Sequence, residues 1–223
     1  MLDHARVTVR PIATPLPITF LGLMVATTVV AGWELGVVPR TSVREVGWIL
    51  LAVPVPMQLL AAAWGFVTRS AAAATGSAVL SATWLAVALT SLAAPPGQTA
   101  PSVTVGLLLV TSAAAMLVPV LAEIRAGALL PALVMGTTVV RFAITAVSGL
   151  TGAHAWGTAS GYCGLVLGGV ALYGALALEL ESAGGQTPVL PVFRVRSARR
   201  AMEGSLDEQL RNAARESGIR QTL

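Results

Sequence analysis

Thr14-Pro15-Leu16-Pro17-Ile18-Thr19-Phe20-Leu21-Gly22-Leu23 sets two prolines one residue apart at the head of an apolar run that continues to about Val38. Proline lacks a backbone donor and biases the residue before it away from helix. Irregular backbone survives at membrane depth only when it is buried in protein or lines a cavity. The stretch therefore predicts rigid, non-helical chain at a membrane entrance and the start of a pore.

Composition extends the membrane reading to the whole chain. Hydrophobic residues make up 55% of the 223 positions and charged residues 11%, with a mean hydropathy of +0.78, too little polar surface for a soluble domain. Apolar runs of the roughly 20 residues needed to cross a hydrocarbon core fall near 16–38, 48–68, 73–93, 103–123, 128–150 and 155–180. The expected fold is all-α: a polytopic bundle of six transmembrane helices. Arg6, Arg10, Arg69, Arg125 and the seven arginines from Arg194 onward lie on one side, eleven of the fourteen basic residues, against Arg40 and Arg44 on the other. By the positive-inside rule both termini are cytoplasmic. The net charge of +4 then reports topology, and no nucleic-acid partner is expected.

The expected organisation is a cytoplasmic segment over 1–13, a transmembrane domain over 14–191 and a basic tail over 192–223. Val29-Val30-Ala31 faintly resembles a signal cleavage site, but the apolar run is too long for a signal core and continues into Trp33. In the tail, Ser205-Leu206-Asp207-Glu208 reads as a capping box opening a short amphipathic helix with Met202, Leu206, Leu210 and Ala214 on one face. Its arginines suit anionic headgroups. One cysteine, Cys163, and two histidines, His4 and His154, offer neither a disulfide nor a metal-ligand set, so no cofactor and no metal are expected. No nucleophile elbow, phosphate loop or paired-carboxylate site points to an enzyme.

Polar residues inside the spans are few. Thr138, Arg141, Thr145 and Ser148 recur at helical spacing and share one face of the fifth span. An arginine near a helix centre costs roughly 2.5–3.5 kcal/mol on insertion scales, so it should face a watery cavity or an acidic partner. Glu34 is one candidate partner, and snorkelling to the headgroups is the other structural option. Gln58 in span two, and Thr75, Ser77, Ser81 and Trp84 in span three, read as interhelical contacts. Gly157, Gly161, Gly164 and Gly168 form a stripe that admits a close helix neighbour, while Glu123, Glu179 and Glu181 read as solvated carboxylates at cytoplasmic helix ends.

Taken in order, these segments resemble the acetate uptake transporter (succinate–acetate permease) family. Thr14 to Leu23 is similar to its signature Asn-Pro-Ala-Pro-Leu-Gly-Leu-x-Gly-Phe, keeping Pro15, Pro17 and Gly22 but carrying Thr14 for Asn and Thr19 for Gly. Gln58-Leu59-Leu60-Ala61 resembles its Gln-x-x-Ala-Gly, and Thr75 through Trp84-Leu85 resembles its Thr-Ala-Phe-x-Ser-Tyr-Gly-x-Phe-Trp-Leu. Gly149, Gly152, Gly161, Gly164 and Gly168, then Tyr173, Thr187 and Val189-Leu190-Pro191, resemble its last third.

The resemblance implies a multi-pass protein of the bacterial inner membrane, a hexamer of six-helix protomers. Each protomer would pass small monocarboxylates or succinate, with proton symport or as a channel. It implies a constriction at Leu23, Leu80 and Thr138, where the family has Phe, Tyr and Leu. Thr14, Thr19, Phe20, Gln58, Ser81 and Ala171 join Arg141 and Thr145 as substrate-binding candidates. The competing expectation is a non-transporting relative serving as a structural or assembly subunit, with Arg141 in a fixed ion pair.

Overall fold

The computed structural model describes residues 13–95, 102–183 and 190–195. Among them the chain forms seven α-helices: α1 Leu16–Glu34, α2 Val43–Ala52, α3 Pro54–Val67, α4 Ala71–Ala93, α5 Val103–Ala126, α6 Leu129–Thr151 and α7 His154–Ser182. With α2 and α3 counted as one crossing, six helices are long and apolar enough to span a membrane. The C-terminal ends of α1, α4 and α6 lie at one end of the bundle, here the loop face. The chain enters α1 and leaves α7 at the other, the terminal face.

The opening prolines do not keep the backbone irregular, contrary to the reading from sequence. Pro15 is the N-cap of α1 at φ −76°, ψ −10°, Pro17 lies in the first turn, and the chain is helical from Leu16. The first N–H groups of any helix have no intrahelical acceptor, so a proline there removes donors the helix does not use. The Leu16 N–H donates to Thr14 Oγ1 at 3.4 Å. The first helix also stops at Glu34, and Gly36 turns the chain at φ +78°.

The broken helix is the second crossing. It starts earlier than hydropathy suggests, with a 3₁₀ turn at Arg40–Ser42, and interrupts at Val53, whose φ −115° and ψ −73° end α2. Pro54 and Pro56 cannot donate to the carbonyls of Leu50 and Ala52, so the ladder fails there for a chemical reason. Ser81 of α4 donates to the Val55 carbonyl at 3.0 Å and ties the break to its neighbour.

Helices α1 and α7, α3 and α4, and α5 and α6 are the closest pairs. The glycine stripe of α7 faces α1 within the same protomer: a Cβ on Gly161 would meet Leu35, one on Gly164 would lie 3.0 Å from the Ala31 Cβ, and one on Gly168 would strike Thr28. Phe20, Leu23, Leu80, Met116, Met135, Phe142 and Leu167 fill the interior, while Leu59, Leu60, Phe66, Val118 and Leu121 stand exposed on the rim. That arrangement suits a lipid-facing exterior.

At the terminal face Glu179 is exposed as expected, but the other two carboxylates differ from expectation. Glu123 is buried rather than solvated, at 7% exposure, because the chain folds back over the end of α5. The Leu129 N–H donates to the Phe193 carbonyl at 3.3 Å and the Val195 N–H to the Gly127 carbonyl at 3.0 Å. Tyr173 Oη donates to the Pro191 carbonyl at 2.9 Å. Glu181 is not free in solvent either, since Arg194 grips it through both guanidinium Nη atoms, one at 2.8 Å. The proposed tail helix and its capping box fall outside the described residues.

Candidate functional site

A cavity of about 630 Å³ opens at the loop face between the ends of α1, α4, α5, α6 and α7. Its walls include Trp33, Arg40, Val87 and His154, and Glu34, Trp84, Arg141, Phe142 and Thr145 line it deeper in the helices. Trp84 meets Phe142 edge-on, with ring centroids 5.6 Å apart and planes at 74°. Such a wall is apolar with a few convergent polar groups, the usual make-up of a small-ligand site.

The polar groups form a ring. Arg141 Nη2 donates to Glu34 Oε2 at 2.6 Å and Nη1 to Glu34 Oε1 at 3.3 Å. Nη1 also donates to Thr145 Oγ1 at 2.6 Å, Thr145 Oγ1 lies 2.6 Å from Ser160 Oγ, and Ser160 donates to Glu34 Oε1 at 3.0 Å. A hydroxyl has one hydrogen to give. With Ser160 donating to Glu34, its oxygen accepts from Thr145, and Thr145 accepts from Arg141. Two donor paths thus run from Arg141 to Glu34, one direct and one through Thr145 and Ser160, and the second draws the Thr145 hydrogen away from its own helix's Arg141 carbonyl at 2.7 Å. Arg141 is 1% exposed and Glu34 8%. Of the ring's own polar atoms, Arg141 Nε has no partner among the described residues. It faces the backbone of α7, where a Cβ on Gly164 would lie 2.9 Å away.

A second polar cluster lies toward the terminal face, about 22 Å along α1 at 1.5 Å per residue from Thr19 to Glu34. Thr19 Oγ1 is 2.7 Å from Ser77 Oγ, and Gln58 Nε2 donates to the Thr19 carbonyl at 3.4 Å. Gln58 Oε1 is buried without a partner among the described residues. Gly22 admits this glutamine, because a Cβ there would lie 3.2 Å from Gln58 Cγ.

The structure therefore brings Thr19 and Gln58 together at one level and Arg141 and Thr145 at the other. Ser81 faces the helix break, and Thr14 is exposed at the head of α1. Phe20, Leu23, Leu80, Thr138 and Ala171 are buried, Leu23 and Leu80 in one apolar cluster, with the Thr138 hydroxyl bonded back to the Val134 carbonyl at 2.9 Å. Thr75 is exposed and Ser148 half-buried on the cavity wall. Sequence reasoning gave Ser160, Gly164 and Arg40 no role at this site, reading Gly164 only as a helix-packing residue and Arg40 only as a topology marker. The sole signal for Ser160 was its place beside Gly161 in a small-residue helix. Among the described residues no group of three or more His, Cys, Asp or Glu side chains is placed to hold a metal ion.

No family model matches this chain, and no curated protein sequence matches it. Among solved structures it is similar to the bacterial acetate channel SatP, with a TM-score of 0.71 and 20% identity over 82% of this chain and 99% of that one. The chain has the fold of that channel.

Proposed function

We propose that this chain carries small carboxylates of the acetate type across a membrane, by proton symport or as a channel. The observation that carries the reading is a buried arginine, Arg141, at the floor of a cavity that opens on one face of a bundle with an acetate channel's fold. A guanidinium gives a carboxylate two parallel, charge-assisted hydrogen bonds. Leu23, Leu80 and Thr138 form the neck beneath it, a mostly apolar constriction that rejects large or strongly hydrated solutes. Thr19, Phe20, Gln58, Ser81 and Ala171 contact solute beyond the neck, and Thr14 lies at its exit. The arginine distribution supports cytoplasmic termini, which puts the cavity outside. The setting is the bacterial inner membrane, the assembly is a hexamer, and the basic tail lies on anionic lipid.

Uptake of labelled acetate by proteoliposomes, with and without an imposed pH gradient, tests the reading. Uptake above protein-free vesicles is expected, and gradient-driven accumulation would select symport. Equal counts in both preparations would overturn it.

A second reading has its own observation in favour: Arg141 is already held by Glu34 through both oxygens. In that case the pair is a fixed strut and the chain a structural or assembly subunit. Substitution of Arg141 would then lower stability without any carboxylate-dependent effect.

A further inference from the structure

We propose that Glu34 is an internal carboxylate occupying the place of the transported anion on Arg141, so that solute is taken up by exchange rather than by addition. The inference rests on the transport reading above and assigns Glu34 and Arg40 roles within the same site.

Arg141 lines the cavity yet is 1% exposed. Its Nη1 and Nη2 already donate to Glu34, Nη1 also to Thr145, and Nε is walled off by the α7 backbone at Gly164. No face of the guanidinium is open to a second carboxylate while Glu34 remains. The Glu34 side chain offers the same two oxygens as a monocarboxylate, in the same two-pronged geometry, and it lines the same cavity as Arg141. A solute carboxylate can therefore replace it bond for bond, accepting from Nη1, Nη2 and Ser160. An arginine left empty in this setting would carry an unpaired buried charge, so displacement must be concerted with arrival.

The displaced carboxylate has a cation to go to. Arg40 Nη2 donates to the backbone carbonyl of Glu34 at 3.2 Å, and its guanidinium is held 5.1 Å from the Trp33 ring centroid. Arg40 is exposed and lines the cavity mouth. The charged residues of the lining are Arg40, Arg141 and Glu34, a formal +1 with His154 neutral. One monocarboxylate brings that sum to zero, whereas a dicarboxylate such as succinate leaves an excess negative charge. Exchange at this site therefore selects monocarboxylates.

The test uses the full chain in proteoliposomes, with acetate and succinate as probes. Apparent affinity rises in proportion to the fraction of sites vacant, so removing the internal carboxylate in Glu34→Gln should lower KM for acetate about tenfold or more. Maximal flux should fall, because nothing then displaces the bound anion. Saturating acetate should also raise the melting temperature of Glu34→Gln more than that of the wild type, a response a strut would not give. Arg40→Gln leaves the buried pair intact and should raise KM severalfold, and it decides the matter if Glu34→Gln cannot be purified. An active wild type whose KM is unchanged in either variant, with no acetate-dependent stabilisation of Glu34→Gln, overturns the exchange and leaves transport standing. A wild type that moves no carboxylate fails the transport reading instead, and the melting experiment then judges exchange by itself.

Discussion

The α7 backbone at Gly164 presses against Arg141: a Cβ built on that glycine would lie 2.9 Å from Arg141 Nε, 3.0 Å from the Ala31 Cβ and 3.2 Å from the Thr27 carbonyl. Thr27 Oγ1 donates back to the Gly164 carbonyl at 3.2 Å, tying the two helices at the same level. Three helices thus meet around one guanidinium. Gly164→Ala should cost about 1–3 kcal/mol, the usual penalty of overpacking. Gly136, whose Cβ would meet nothing within 4 Å, is the control: Gly136→Ala should be neutral or slightly stabilising, by up to about 1 kcal/mol from helix propensity. Thermal melts in detergent distinguish the two, and equal melting temperatures would show that Gly164 is not a contact.

The Arg141–Glu34 pair should behave as a coupled unit. Removing one partner of a buried ion pair costs about 3–5 kcal/mol because the other charge is stranded. Arg141→Gln and Glu34→Gln should each lower the melting temperature without added acetate, and the double variant should recover much of the loss. Additive losses across the cycle would mean that the two side chains do not share their charge.

Much of this arrangement was legible from sequence, for physical reasons that differ by residue. Apolar runs report the spans directly, because only they cross hydrocarbon. Arg141 announced itself by its cost, and Glu34 was one of the partners open to it. Pro15 and Pro17 misled because proline both breaks a helix and suits its first turn, and hydropathy does not say which position it occupies. Pro54 and Pro56 read as helix-loosening, but the position of the break at Val53 was not legible because hydropathy runs evenly through it. Glu123 read as solvated because the segment that covers it, near Phe193, lies far away in sequence. Ser160 and Gly164 were invisible as site residues, since a serine and a glycine in a small-residue helix look the same whether they pack or bind.

The neck is open to a gain-of-residue experiment. Leu80→Tyr adds a hydroxyl able to exchange for solute hydration at a proposed constriction. It should change the ratio of acetate to propionate flux, while Leu85→Tyr, on the partly exposed side of α4, should not. Identical ratios in Leu80→Tyr and wild type would remove Leu80 from the path.

Cytoplasmic termini, proposed from the arginine distribution, predict which face an impermeant reagent reaches. In a Cys163→Ser background, a cysteine at Val37 on the loop face should react with an impermeant maleimide applied to intact cells. One at Ala126 on the terminal face should react only after permeabilisation. Both positions are exposed, so the reverse pattern would invert the topology and turn the cavity toward the cytoplasm.

The most direct measurement is initial acetate uptake by proteoliposomes containing wild type or the Arg141→Gln variant, each shown to be folded and equally incorporated. An amide keeps a donor of similar reach but loses the charge that holds a carboxylate. Wild type should take up acetate well above empty vesicles, and Arg141→Gln should lose most of that flux. A folded Arg141→Gln protein with wild-type flux would contradict the assignment of Arg141 as the carboxylate-binding group.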